Sequence, residues 1–139
     1  MSRITEADYR RMVERSKPPA KLKPPKRGAN KWERAYAEQL NLLVKAREIH
    51  GWKFEALRLR LADGAWFKPD FLVHAPARLE FHEVKGFWRE AARVRIKVAA
   101  ELYPEFVFIA VTRKEGEWVR ERFYARELAG STYSGRTTR

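Results

Sequence analysis

The stretch Glu80–Pro104, "EFHEVKGFWREAARVRIKVAAELYP", contains two kinds of periodicity. Up to Lys85 it alternates as a strand does. From about residue 88 to 102 it repeats at helical spacing, and Pro104 follows the end. Glu83-Val84-Lys85-Gly86 stands at the change. Alternation sends the side chains of Glu83 and Lys85 to one face of the strand. They either form an ion pair on a solvated face or face a shared ligand, and the rest of the chain bears on which.

Upstream of this stretch, "FEALRLRLADGAWFKPDFLVHAPARLEFHEVKG" reads as three strands. Leu57, Leu59 and Leu61 alternate with Arg58 and Arg60 in the first. Asp63-Gly64 is a hairpin turn signal. The second strand covers about 65–74 and the third about 79–85, with a turn at Pro76-Ala77. Further upstream, Asn30 with Glu33 three residues on is a capping-box pattern and opens a helix over 31–49. Trp32, Tyr36, Leu40 and Leu43 form its buried stripe, and His50-Gly51 ends it. Downstream, "FVFIAV", 106–111, is a short apolar strand of the buried kind. A strand, a crossover helix and a strand predict parallel pairing with the 79–85 strand or near it. A last helix is expected at 115–128. The fold class is therefore α/β, helices flanking a mixed four-stranded sheet in the order αβββαβ.

The chain has 139 residues, enough for one core, and carries 30 Lys and Arg against 18 Asp and Glu, a net charge of +12. Such a surface points to a polyanionic partner. No apolar run reaches the roughly 18 residues of a membrane span, and no signal-like segment opens the chain. Cys is absent, which excludes disulfides and thiolate metal sites. A cytoplasmic location without membrane contact is expected. Residues 1–29 are expected to be a basic, Pro-rich arm that carries Lys21, Lys23, Lys26 and Arg27, 30–128 the folded domain, and 129–139 a flexible tail. The arm is either a solvated linker or a set of phosphate contacts.

A tight turn at Pro76-Ala77 pairs residues whose numbers sum to 153, which sets Asp70 opposite Glu83. Such neighbours lie about 4.5–5.5 Å apart at Cβ. Two carboxylates at that distance repel unless a cation lies between them, and oxygen ligands suit a hard divalent ion. On the first helix, Glu33 shares a face with Ala37, Leu40 and Val44 beside the buried stripe, whereas Glu38 lies on the wet side. Glu33 is thus the helix acid that can look at the sheet; its plainer role is that of a capping residue.

"FKPDFLV", with Pro69-Asp70, and "EFHEVKG", with Glu83-Val84-Lys85, resemble the PD-(D/E)xK nuclease superfamily. "ERAYAEQLNLLVKAREI", 33–49, is similar to the helix that bears its upstream glutamate, here Glu33. The resemblance spans about 30–112, includes the element order of a restriction-endonuclease-like core, and leans toward small phage and archaeal enzymes that resolve Holliday junctions. It implies a Mg²⁺-dependent endonuclease, with Mn²⁺ as a substitute, working as a homodimer on branched DNA without a nucleotide cofactor. Glu33, Asp70 and Glu83 would hold the ion, the Val84 carbonyl would be a further ligand, and Lys85 would orient water or offset developing charge. Lys31, Arg89, Arg93 and Lys97, with the arm, would meet the DNA backbone, and Arg95 lies on the same basic helix. Flaps, nicked or linear DNA, RNA, and a silent DNA-binding role on the same fold stay open. His82 points to the sheet face opposite Glu83 and is expected to be a hydrogen-bonded core histidine. Trp88 stands closest to the motif among the five Trp residues.

Overall fold

The computed structural model describes residues 5–7, 10–11 and 28–125. The expected tail lies outside that range, and so do Lys21, Lys23, Lys26 and Arg27 of the arm. Helix α1 spans Lys31–Lys45. Strands β1 (Gly51–Phe54), β2 (Leu59–Ala62), β3 (Ala65–Phe67), β4 (Phe71–His74) and β5 (Leu79–Val84) follow. Helix α2 spans Glu90–Leu102, and β6 (Val107–Lys114) and β7 (Glu117–Phe123) close the order. The fold is α/β. Its mixed sheet has five strands, not the expected four, in the order β1-β4-β5-β6-β7; β2 and β3 form a separate two-stranded ribbon.

Helix α1 starts where its cap dictates. The Asn30 side chain accepts from the amides of Trp32 and Glu33, and Glu33 accepts from the Asn30 amide. It stops at Ala46, four residues before His50-Gly51, because Arg47 takes a left-handed turn with φ 61°. Beyond the turn, Gly51–Phe54 form β1, the edge strand absent from the sequence reading. Its register runs from Gly51 opposite His74 to Phe54 opposite Phe71.

β4 and β5 pair antiparallel with Phe71 opposite His82 and Leu72 opposite Phe81. Both pairs sum to 153, the register that the tight turn predicts. β5 and β6 run parallel, with Glu83 beside Ala110 and Val84 beside Val111. The crossover between them is α2, whose buried Ile96, Ala99 and Ala100 pack on the sheet with Phe81 and Phe108. On the opposite face, Tyr36, Ala37 and Leu40 of α1 pack on Phe71, Val73 and Val84.

Three further expectations are corrected. The strand expected at about 65–74 is two, β3 in the ribbon and β4 in the main sheet, parted at Lys68-Pro69-Asp70, where Pro69 has no amide to give a ladder. Residues 117–123 are strand β7, not part of a helix. Glu115 (φ 50°) and Gly116 (φ 83°) form a two-residue turn of the type that joins antiparallel strands. β7 then pairs with β6 from Lys114–Glu117 to Phe108–Phe123. It covers the edge of β6, whose first five residues are all buried. The Leu57–Leu61 alternation belongs to the ribbon, not to the main sheet, because the Asp63-Gly64 turn folds it back locally on Ala65–Phe67. The ribbon buries Leu59 and Phe67 against the α2 side. The Tyr103 hydroxyl, just past α2, donates to the Arg60 carbonyl at 2.6 Å. Among the described residues no helix is long and apolar enough to cross a membrane.

Candidate functional site

Asp70 lies one residue before β4, and Glu83 one residue before the end of β5. Strand parity puts both on the α2 side of the sheet, with Leu72 and Phe81. They interlock. The Asp70 amide donates to Glu83 Oε2 at 3.0 Å, and the Val84 amide donates to Asp70 Oδ2 at 2.8 Å. Pro69 is fully buried beside them and fixes the approach of the chain. Asp70 and Glu83 are 8% and 9% exposed, an unusual depth for acids.

Their protonation follows from that position. Burial first, and the neighbouring Glu83 charge next, push the Asp70 carboxyl up to about 8, against the Val84 hydrogen bond. Burial also raises Glu83, against the pull of Lys85. Lys85 Nζ sits 3.4 Å from Glu83 Oε1 and 5.8 Å from the centre of the Trp88 ring. A single ammonium thus faces two buried carboxyls. The donor set is oxygen, paired across adjacent strands, which is the chemistry of a hard divalent cation.

Glu33 stands at the N-terminus of α1, and its charge acts on both Asp70 and Glu83. Its own oxygens take hydrogen bonds from the Asn30 amide and the Asn30 side chain, each at 2.8 Å. So it performs the capping role and also borders the acid pair. Among the described residues no three His, Cys, Asp or Glu side chains are drawn into a ready-made metal cage. The reason is visible: each acid is turned toward a backbone amide. Gly86 sets the distance between α1 and the end of β5. A Cβ there would lie 2.8 Å from Trp32 Nε1, so only glycine admits this approach. Val84 ends β5 with its amide spent on Asp70, and its carbonyl leads into Lys85.

Beside the pair lies a cleft of ≈ 390 Å³ bordered by Glu83, Lys85, Phe87, Trp88, Arg89 and Arg95, with Ala91, Ala92 and Phe67 completing its wall. Arg89 occupies the N-cap position of α2 and makes no capping hydrogen bond through its side chain. The basic residues named from sequence thus divide. Lys85 and Arg89 line the cleft. Arg93 turns to β7, where Nη2 contacts both Glu121 oxygens at 2.7 and 2.8 Å. Lys97 is exposed on α2 away from the cleft wall, and Lys31 lies over the Trp32 ring at 4.9 Å. Arg58, on the ribbon, lies over Trp66 at 4.3 Å, and Arg60 is 3.6 Å from Asp63.

Sequence reasoning missed Phe67 and Phe87 as cleft residues, whereas Arg95, one of the four basic residues noted on that helix, does line the cleft. The expected core role of His82 is found. Its Nδ1 meets the Tyr36 hydroxyl at 2.6 Å and its Nε2 meets Glu80 Oε1 at 3.2 Å. Comparison with protein-family models, with curated proteins and with solved structures returns no match.

Proposed function

We propose that this chain is a Mg²⁺-dependent, structure-selective DNA endonuclease, and that a four-way junction cut by a homodimer is its substrate. One observation carries the reading: Asp70 and Glu83 are buried against each other with both carboxyls raised, Glu83 two residues from Lys85, at the edge of a basic cleft. A buried acid pair resists full ionisation unless a compensating cation joins it. The element order supports a restriction-endonuclease-like core. With the ribbon taken as an insertion between β1 and β4, the elements run α1, β1, β4, β5, α2, β6, and β7 is an addition at the edge.

In this reading Asp70 and Glu83 hold the ion, with Mn²⁺ as a substitute, and the Val84 carbonyl and Glu33 complete the oxygen set. The bound ion supplies an acidified water and polarises a phosphate oxygen. Through their contact Lys85 works against the burial that raises Glu83, and its ammonium would offset charge that builds on the phosphate. Arg89 and Arg95 receive the flanking phosphates. Among the described residues no element is added to the sheet and its helices that would read base edges, and in this reading selectivity comes from DNA shape. Two symmetric cuts on a junction require two such sites, hence two copies.

The test is cleavage of a labelled four-way junction and a matched linear duplex, in Mg²⁺ and in EDTA, by wild type and Asp70→Asn. Paired nicks on the junction alone, lost in EDTA and in the variant, are expected. Equal cutting of both DNAs would remove the junction claim. Tight binding without cutting in Mg²⁺ or Mn²⁺ would remove the enzyme claim.

A further inference from the structure

We infer that the cleft beside Asp70 and Glu83 receives one unstacked base, held on the ring of Phe87, so that the chain selects DNA with an unpaired nucleotide next to the cut phosphate. The inference rests on the nuclease reading and deepens it by naming the local state of the substrate. Phe87 is the starting point. It is 77% exposed, the most exposed large apolar side chain among the described residues, in a chain that buries Phe71, Phe81 and Phe108 almost completely. It lines the cleft with Trp88, whose Nε1 donates to the Val111 carbonyl at 3.3 Å and fixes its ring.

The surroundings select the occupant. Lys85, Arg89 and Arg95 border the same space, against the single carboxylate of Glu83. An apolar ring ringed by cations suits a flat ligand that carries a phosphate. It does not suit a second copy of the chain, whose equivalent face would bring the same cations together. The space of ≈ 390 Å³ falls in the range of small-molecule sites, about 300–1,000 Å³. Between Arg89 and Arg95 the α2 wall carries only the methyl groups of Ala91 and Ala92, which leaves room there for a planar group. Base stacking on an aromatic side chain is tolerant of sequence, which agrees with a chain that reads shape. Lys85 borders the cleft and also touches Glu83, so a nucleotide seated there brings its phosphate to the acid pair.

The experiment measures binding in EDTA by fluorescence anisotropy, independent of cutting. The probes are a duplex with one bulged thymidine, the same duplex with the bulged base removed, and a fully paired duplex. Wild type should bind the bulged thymidine about 5- to 100-fold more tightly than its abasic counterpart. Phe87→Ala should erase that difference and keep binding of the paired duplex; Phe87→Tyr should retain it. Equal affinity of wild type for the bulged and abasic probes would overturn the inference. So would an equal loss on all three probes in Phe87→Ala. Cutting in Mg²⁺ without base-dependent binding sinks this inference and leaves the nuclease reading. Base-dependent binding without cutting does the reverse.

Discussion

Strand β5 carries two buried acids, Glu80 and Glu83, on opposite faces of the same sheet, and they are treated in opposite ways. On the α1 face the charge of Glu80 is satisfied from within the protein. Arg120 donates to the Tyr36 hydroxyl at 3.1 Å; the hydroxyl is then free to donate to His82 Nδ1, and His82 Nε2–H to Glu80. Arg78 contacts the other Glu80 oxygen at 3.2 Å. Burial works to raise Glu80, but the His82 hydrogen bond and Arg78 outweigh it, so its carboxyl lies below the usual range. Burial holds His82 below its ordinary value and therefore neutral, against the pull of Glu80. On the α2 face, Asp70 and Glu83 share one ammonium and both are raised. Burial of an acid is therefore not by itself a mark of function. What separates the two clusters is whether the protein supplies the opposite charge.

The contrast breaks most sharply at Asp70. Asp70→Asn should lower DNA cleavage by about 10³-fold, several kcal/mol of transition-state stabilisation, in a single-turnover assay. The same variant should unfold at higher urea than wild type at pH 8 to 9 in EDTA, because it removes a charge that the fold resists. A variant that is both inactive and destabilised there would make Asp70 a structural acid like Glu80. On the opposite face, His82→Ala strands Glu80 and the Tyr36 hydroxyl. It should cost about 3 kcal/mol in urea unfolding, within the range for a broken buried polar pair. Its Mn²⁺ affinity should equal that of wild type where it remains folded.

The pH dependence of stability should carry both signs. Asp70 titrates at about 8 in the folded state against 3.8 in its absence, so the folded state holds the extra proton. Its contribution is full below 3.8 and is lost as pH rises through about 8. His82 is the reverse: its folded value is lowered from 6.5, so its contribution is full above 6.5 and falls as pH drops below it. Urea midpoints of the metal-free protein should therefore decline between pH 6.5 and 9, and Asp70→Asn should flatten that limb. A decline unchanged in the variant would assign it to another group.

Smaller effects sharpen the comparison at its edges. Gly86→Ala drives a methyl group toward Trp32 and should cost about 1–3 kcal/mol, with reduced cleavage as the Glu33 end of α1 shifts. Arg93→Ala should cost at most about 1 kcal/mol, since Arg93 and Glu121 are 38% and 48% exposed, and should leave DNA affinity near wild type. A large loss of affinity in an anisotropy titration would return Arg93 to the DNA contacts.

How much of this was legible in the sequence depends on how local each signal is. The Asp70–Glu83 juxtaposition was readable because a tight turn and period-two alternation fix a register together. The capping box at Asn30 and Glu33 and the parallel return of β6 were readable for similar reasons. β7 was not. "GEWVRERF" is rich in residues that suit a helix, and its strand state is decided by the Glu115-Gly116 turn and by the buried β6 edge it covers. β1 was hidden because it has only four residues, and Gly51, its first, reads as the end of a helix. The side of α2 on which each Arg falls was also hidden. Glu121, which claims Arg93, is 28 residues away on the strand that was misread.

The most direct test of the central claim is calorimetric titration of Mn²⁺ into the protein at pH 7, in two buffers of different ionisation enthalpy, beside Asp70→Asn. If the acid pair is the cation site, wild type binds and releases about one proton as Asp70 ionises, and Asp70→Asn loses both the binding and the proton release. Binding that survives Asp70→Asn with the same proton count, or no binding at all to wild type, would contradict the assignment of the Asp70–Glu83 face as the functional one.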